Sequence, residues 1–193
     1  MRVRQKFSFT LIEVLVVLAL LISVGGVFGV QVQRLMHQQR FYNSVDRLVE
    51  KLQLGQELML LNDRDHELRL TENKRGNLSA TFVFDAPIPK VLAPLLERQT
   101  ELAGIRYLAI HDGKDSNELN ELRLFFLSHG SEMPRMVIEL SDRKPRKGES
   151  DDSRLVRYIP LKGYIHPIQA ERKYDLSFLE EEDCDALYPA EIL

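Results

Sequence analysis

The stretch that decides the fold is residues 9–30, which read FTLIEVLVVLALLISVGGVFGV. These 22 residues carry one charge, Glu13. As a helix they would extend about 33 Å, close to the ~30 Å hydrocarbon thickness of a bilayer. Arg2, Arg4 and Lys6 precede the run, and basic residues next to an apolar segment stay on the cytoplasmic side. The pattern therefore predicts a membrane anchor with the rest of the chain on the opposite side.

Three kinds of N-terminal segment compete for this stretch. A cleaved secretory signal has a 7–15-residue apolar region and a small-residue cleavage site, for which Ser23-Val24-Gly25 is a weak match. The run is long for such a signal, and the charge of Glu13 at its start also argues against one. A lipoprotein is excluded because no lipobox cysteine is present, and a plain signal anchor leaves Glu13 unexplained.

The sequence Ser8-Phe9-Thr10-Leu11-Ile12-Glu13 resembles the cleavage motif of type IV pilins and type II secretion pseudopilins. The resemblance implies a leader of residues 1–8, which a prepilin peptidase cuts between Ser8 and Phe9, followed by N-methylation of Phe9. It also implies that Glu13 is the acid used in assembly. Ser8 stands where the family has glycine, and its small side chain is compatible with cleavage.

Elementary electrostatics agrees with this role of Glu13. Cleavage would give Phe9 a positively charged amine, about one helical turn from the carboxylate in the same helix. The amine of a neighbouring subunit offers a second partner, and a buried charge pair is costly when mismatched, which fixes the stacking register. The alternative is that Glu13 lies at the membrane interface and is solvated.

Beyond the apolar run, residues 31–62 predict a continuation of the helix into an amphipathic, periplasmic half. The apolar residues Val45, Leu48, Val49, Leu52 and Met59 share one helical stripe. Gly55 lies near this stripe and would allow close packing against a sheet. The stretch contains no proline. The glycines at 25, 26 and 29 either soften the helix or assist helix packing in the membrane.

Residues 63–193 predict a globular, β-rich domain, which gives an α+β fold. The expected strands are residues 66–71, 80–84, 105–111, 121–127, 135–140 and 155–160, several of which alternate polar and apolar side chains. Turn-rich segments at 73–77, 112–117 and 141–153 separate them. Residues 91–98, after Pro87-Ile88-Pro89, predict a short helix or an irregular crossover. The expected architecture is pilin-like, with the long helix packed on an antiparallel β domain.

Little in the sequence indicates catalysis or the binding of a metal or nucleic acid. The net charge of -3 gives no footprint for nucleic acid. The five histidines lack metal-site spacing, no nucleophile motif is present, and acidic neighbours disfavour a reactive thiolate at Cys184. The acidic clusters 112–118 and 180–185 are candidates for calcium, but solvated surface is the commoner reading. The tail 174–193 is otherwise a candidate contact for a partner subunit. We expect no catalytic residue, metal or cofactor.

The segment 41–70, a helix followed by HELRLT, is similar to H-type minor pseudopilins and the related fimbrial T pilins. This resemblance implies a structural subunit, a minor pseudopilin of a type II secretion system. The implied partners are the prepilin peptidase, other pseudopilin or pilin subunits, the inner-membrane assembly platform and membrane lipid. The implied location is the bacterial inner membrane, single-pass, with the C-terminal domain in the periplasm. Two alternatives stay open: a minor pilin of a type IV pilus, for adhesion or DNA uptake, and a signal-anchored periplasmic binding module.

Overall fold

The computed structural model describes residues 11–62, 65–73, 76–84, 93–96, 98–111, 116–127, 136–146, 150, 153–162 and 167–173. The chain divides into two compact units, Met1–Gln39 and Arg40–Leu193. Helix α1, Leu11–Asn62, contributes its first part to one unit and its second part to the other. Its 52 residues confirm that the helix continues past residue 30 and remains helical through the glycines.

The second unit contains two antiparallel sheets of four strands each. The elements after α1 are β1 (His66–Glu72), β2 (Leu78–Phe84), α2 (Ala93–Leu96), β3 (Thr100–Leu102), β4 (Tyr107–His111), β5 (Ser116–Glu118), β6 (Glu121–Phe126), β7 (Met136–Ser141) and β8 (Val156–Leu161). Sheet 1 has the order β3-β2-β1-β6 and sheet 2 has the order β5-β4-β7-β8. The α+β class, with a long apolar N-terminal helix and antiparallel sheets, is therefore confirmed.

All six predicted strands are present, with ends that differ by one or two residues. Two short strands, β3 and β5, were not predicted. The prediction of a turn over 112–117 is wrong for its last two residues, because they begin β5 and pair with β4 through Ile110↔Asn117 and His111↔Ser116. Helix α2 confirms a short helix within 91–98, whereas residues 87–89 lie outside the described part of the chain.

The core joins the second part of α1 to both sheets in one hydrophobic cluster. The predicted helical stripe is buried at Val45, Leu48, Leu52 and Met59, whereas Val49 is only partly buried. Full burial of such a side chain contributes about 1.5–3 kcal/mol. Gly55 faces Phe126 so closely that an added Cβ would lie 2.8 Å from the ring tip, which confirms the close approach of helix and sheet.

Polar contacts fix this part of α1 from two sides. Ser44 Oγ donates to the carbonyl of Ala103 at 2.8 Å, on the side of the β3–β4 turn. Gln53 Nε2 donates to the carbonyl of Ile168 at 2.8 Å, in the segment after β8. These bonds satisfy carbonyls in irregular segments and hold those segments against the helix.

Candidate functional site: the apolar part of the first helix

The first part of α1 is apolar on every side. Between Leu11 and Gln33 its only charge is Glu13. The large apolar side chains described in the first unit are all exposed, from 46% at Val14 to 82% at Leu11. A helix that is hydrophobic all round is typical of a buried or membrane-spanning segment rather than of a water-exposed one.

The dimensions of this part fit a bilayer. The 23 residues 11–33 extend about 34 Å at 1.5 Å per residue, near the ~30 Å of a hydrocarbon core. Among the described residues, α1 is the one helix long and apolar enough to cross a membrane, by length and composition, and none of its apolar window is buried. This finding supports a single-pass membrane anchor near the N-terminus.

Polar and small residues in this part suit an environment without water. Ser23 Oγ donates to the carbonyl of Ala19 at 2.9 Å, so its hydroxyl is satisfied within the helix. A Cβ added at Gly26 or Gly29 would meet nothing within 4 Å. These two glycines are therefore not required by packing within the first unit, and they leave the helix backbone open to close approach by another helix.

Glu13 stands in the first turn of α1. Acidic side chains are favoured near the positive end of the helix dipole. Among the described residues, the neighbours one turn further along the helix, Val16 and Val17, are exposed and apolar, so on that side the carboxylate borders an apolar surface. Ser8 and Phe9 lie outside the described residues, so the cleavage and methylation of this junction stay predictions.

Within the described ranges, no group of three or more His, Cys, Asp or Glu side chains lies close enough together to hold a metal ion. His37 is exposed on α1, and His66 is buried with its ring stacked on Phe126 at 4.9 Å. The candidate calcium cluster 112–118 is described only in part, and the cluster 180–185, with Cys184, lies outside the described ranges. His129 and His166 do as well.

An ionic cluster that the sequence did not predict lies on the outer face of sheet 2. Glu139 Oε2 is 2.8 Å from His111 Nε2, and Glu139 Oε1 is 2.8 Å from Arg154 Nη2. All three side chains are largely buried. Burial, and then the negative charge of Glu139, raise the pKa of Tyr107 on the same face. The cluster ties β4, β7 and the residues before β8 together, and we assign it a structural role.

A second unpredicted feature is an open groove of about 580 Å³ between α1 and the edge of sheet 1. It is lined by Arg47, Glu50, Lys51 and Leu54 of the helix and by residues 98–101. We call it the basic groove, because three of its side chains are cationic. Its residues come from segments about 50 positions apart, so no local pattern announces it.

A comparison of this chain with known proteins finds no relative. No protein-family model, no curated protein and no solved structure matches this chain. Its function must be inferred from its own residues and their geometry.

Proposed function

We propose that this protein is a structural subunit, a minor pseudopilin, of a type II secretion pseudopilus that supports protein export across the outer membrane. The observation that carries the proposal is helix α1. Its first part is exposed, apolar on all sides and marked by a single acid, and its second part is the central helix of a two-sheet domain. The motif around Glu13 and the expected pilin-like architecture point the same way.

The apolar part of α1 would serve two successive environments. Before assembly it anchors the subunit in the inner membrane, where lipid covers its exposed side chains. During assembly the same side chains pack against apolar helices of neighbouring subunits. Gly26 and Gly29 favour this step, because small residues let helix backbones approach closely.

Glu13 would set the register of each incoming subunit. In an apolar surrounding, an unpaired carboxylate costs about 2.5–3.5 kcal/mol at a helix centre on insertion scales, and less near the helix end. The amine of mature Phe9 on a neighbouring subunit would remove this cost only when the two helices are aligned. A shifted subunit leaves both charges unpaired and is therefore disfavoured.

The mature N-terminus gives the most direct test. Mass spectrometry of the purified protein should find a chain that begins at N-methylated Phe9 when the prepilin peptidase is present. In a strain without that peptidase the chain should keep residues 1–8. A mature N-terminus at Gly26, or an uncut Met1 in the presence of the peptidase, would contradict the proposal and favour an anchored binding module.

The role of Glu13 is tested separately. The variants Glu13→Ala and Glu13→Gln should enter the membrane normally yet be poorly incorporated into the pseudopilus, as measured by co-purification with the other subunits. Gln31→Ala removes another exposed polar side chain from the same helix and should assemble like the wild type. Normal incorporation of both Glu13 variants would show that this acid does not guide docking.

The secretion machine itself is tested by deletion of the gene. Loss of the subunit should lower the amount of exported protein in the medium while surface piliation stays normal. Restored secretion on expression of the wild-type chain is the matched control. Loss of pili with normal secretion would instead assign the chain to a type IV pilus.

A further inference from the structure

Strand β6 is a long edge strand with no strand on its outer side among the described residues. Within the same ranges the other sheet edges are short or shielded: β3 and β5 have three residues each, and β8 is bridged to the segment after it through Tyr158↔Glu171. β6 has six residues and pairs with β1 alone. An edge of this length offers a row of backbone donors and acceptors to another strand. It is therefore the part of the domain best suited to take up a further strand.

The hydrogen-bond pattern shows which backbone groups of β6 face outwards. The amide of Glu72 donates to the carbonyl of Asn120 at 3.2 Å, so this pair and every second pair beyond it are hydrogen-bonded between β1 and β6. The residues in between, Glu121, Arg123 and Phe125, direct their N–H and C=O groups to the outer edge. Their side chains are 42%, 52% and 51% exposed. This edge is therefore accessible from solvent.

The opposite edge of sheet 1, formed by β3, has matching groups. The amide of Asn73 donates to the carbonyl of Asn77 at 2.8 Å, and alternation along this ladder directs Leu78 and Ala80 of β2 towards β3. Glu101 lies between the partners of those two residues, so its own N–H and C=O point to the outer edge of β3. Its side chain is exposed, and its Oε1 accepts hydrogen bonds from the side-chain amides of Asn73 and Asn77.

The two edges also run in directions that fit each other. Each strand of sheet 1 is antiparallel to its neighbour, so β6 runs opposite to β3. A second copy placed beside the first in the same orientation therefore brings its β3 antiparallel to β6. The second part of α1 then points the same way in both copies, as anchoring in one membrane requires. Two β6 strands paired antiparallel about a two-fold axis would instead reverse this helix in one copy.

We propose that β6 pairs with β3 of a second copy of this chain, with Arg123 opposite Glu101 of the partner subunit. This pair and the next one, Phe125 opposite Gln99 of the partner subunit, would each exchange two backbone hydrogen bonds. The contact is heterologous, so it can repeat from one subunit to the next. It goes beyond the proposed function, because it requires a shared membrane anchor but no particular machine. Its failure would leave the mature N-terminus at Phe9 unchanged, so the two proposals fail separately.

Charge selects this register. Leu102 and Leu122 are core residues, so the residues next to them along the strands, Glu101 and Arg123, lie on the outer face of sheet 1. Opposite charges at directly opposed positions stabilise an antiparallel pair. Arg123 Nε is 2.8 Å from Glu121 Oε1 of its own chain, and the guanidinium has further donors for a second carboxylate. Sliding the partner by two residues would set Glu121 against Glu101 of the partner subunit, and opposed like charges are destabilising.

Disulfide trapping in cell membranes tests the contact with the full chain. Cys184 is replaced by serine, and a chain with Arg123→Cys is co-expressed with one that carries Glu101→Cys. Opposed residues of an antiparallel pair have Cα atoms about 4.5–5.5 Å apart, a distance that a disulfide spans. The control replaces Arg123→Cys by Lys144→Cys, at a side chain that is 68% exposed beside sheet 2.

The expected result after mild oxidation is a mixed dimer in a yield at least about fivefold above that of the control pair, because only thiols held at this distance are joined efficiently. A yield no higher than that of the control would overturn the proposal. Disulfides formed mainly between two Arg123→Cys chains would overturn it as well and assign β6 to a symmetric pair.

A charge swap shows whether the two side chains face each other, with Phe125→Cys and Gln99→Cys as the trapping pair. Arg123→Glu or Glu101→Arg alone opposes like charges and should lower the yield about fivefold, whereas both together should restore it. Arg69→Glu makes the same charge change on the central strand β1 and should leave the yield unchanged. Circular dichroism verifies that each variant is folded. A folded double variant that is trapped as poorly as the single variants would refute the contact.

Discussion

Gly55→Ala tests how tightly α1 is packed on sheet 1. In an open helix, alanine in place of glycine is favourable by about 1 kcal/mol. At this position the new Cβ would lie 2.8, 3.0 and 3.1 Å from three carbons of the Phe126 ring. That ring is fully buried and stacked on His66, so it has no free space to enter. Overpacking of this kind costs about 1–3 kcal/mol, so we expect a net loss of about 1 kcal/mol.

The assay is thermal unfolding of the full chain in detergent, followed by the circular dichroism of the β domain. For a domain of this size, a loss of 1 kcal/mol corresponds to a fall of about 2–4 °C in Tm. Gly26→Ala, where a Cβ meets nothing within 4 Å, is the matched control and should not lower Tm. Phe126→Leu should relieve the clash, with a coupling of about 0.5–3 kcal/mol to Gly55→Ala. A rise in Tm for Gly55→Ala, with no coupling, would refute the close contact.

Two further predictions concern the outer faces of the sheets. Arg154→Met leaves the buried carboxylate of Glu139 without the guanidinium beside it and should lower the free energy of unfolding by about 3–5 kcal/mol, measured with a chemical denaturant. The control, Arg69→Met, removes a charge from the ion pairs on sheet 1 and should leave the unfolding midpoint nearly unchanged. An equal effect of the two would contradict the burial of the cluster. The pKa of Tyr107 in the folded protein is raised above its ordinary 10.0. The neutral phenol therefore contributes fully to stability below pH 10.0, and this contribution is lost as the pH rises through the raised pKa. Tyr107→Phe should flatten the alkaline fall in stability, measured by unfolding at successive pH values. If the variant lost stability at alkaline pH as steeply as the wild type, another group would be the cause of that loss.

The sequence predicted those features that depend on neighbours along the chain. A run of 22 nearly uncharged residues is enough to predict an apolar helix. The apolar stripe from Val45 to Met59 is enough to predict which face of the helix is buried. Short β-like runs, several of them with alternating polar and apolar side chains, predicted six strands for the same local reason. The sequence did not predict strands β3 and β5, because three residues are too few to show an alternation. Both are held mainly by hydrogen bonds to the longer strands beside them.

The tertiary structure decided what depends on distant residues. Glu139 is a charged residue of β7, which a local pattern would place in solvent, yet its side chain is largely buried beside His111 and Arg154, which come from other segments. The basic groove exists only because residues 98–101 lie against the helix turn that carries Arg47 and Lys51. The sequence by itself thus determined the long apolar N-terminal helix, its amphipathic continuation and most strands, since local hydrophobicity and its periodicity specify them. The buried ionic cluster and the groove followed only from the fold, since their energies come from contacts between segments far apart in the chain.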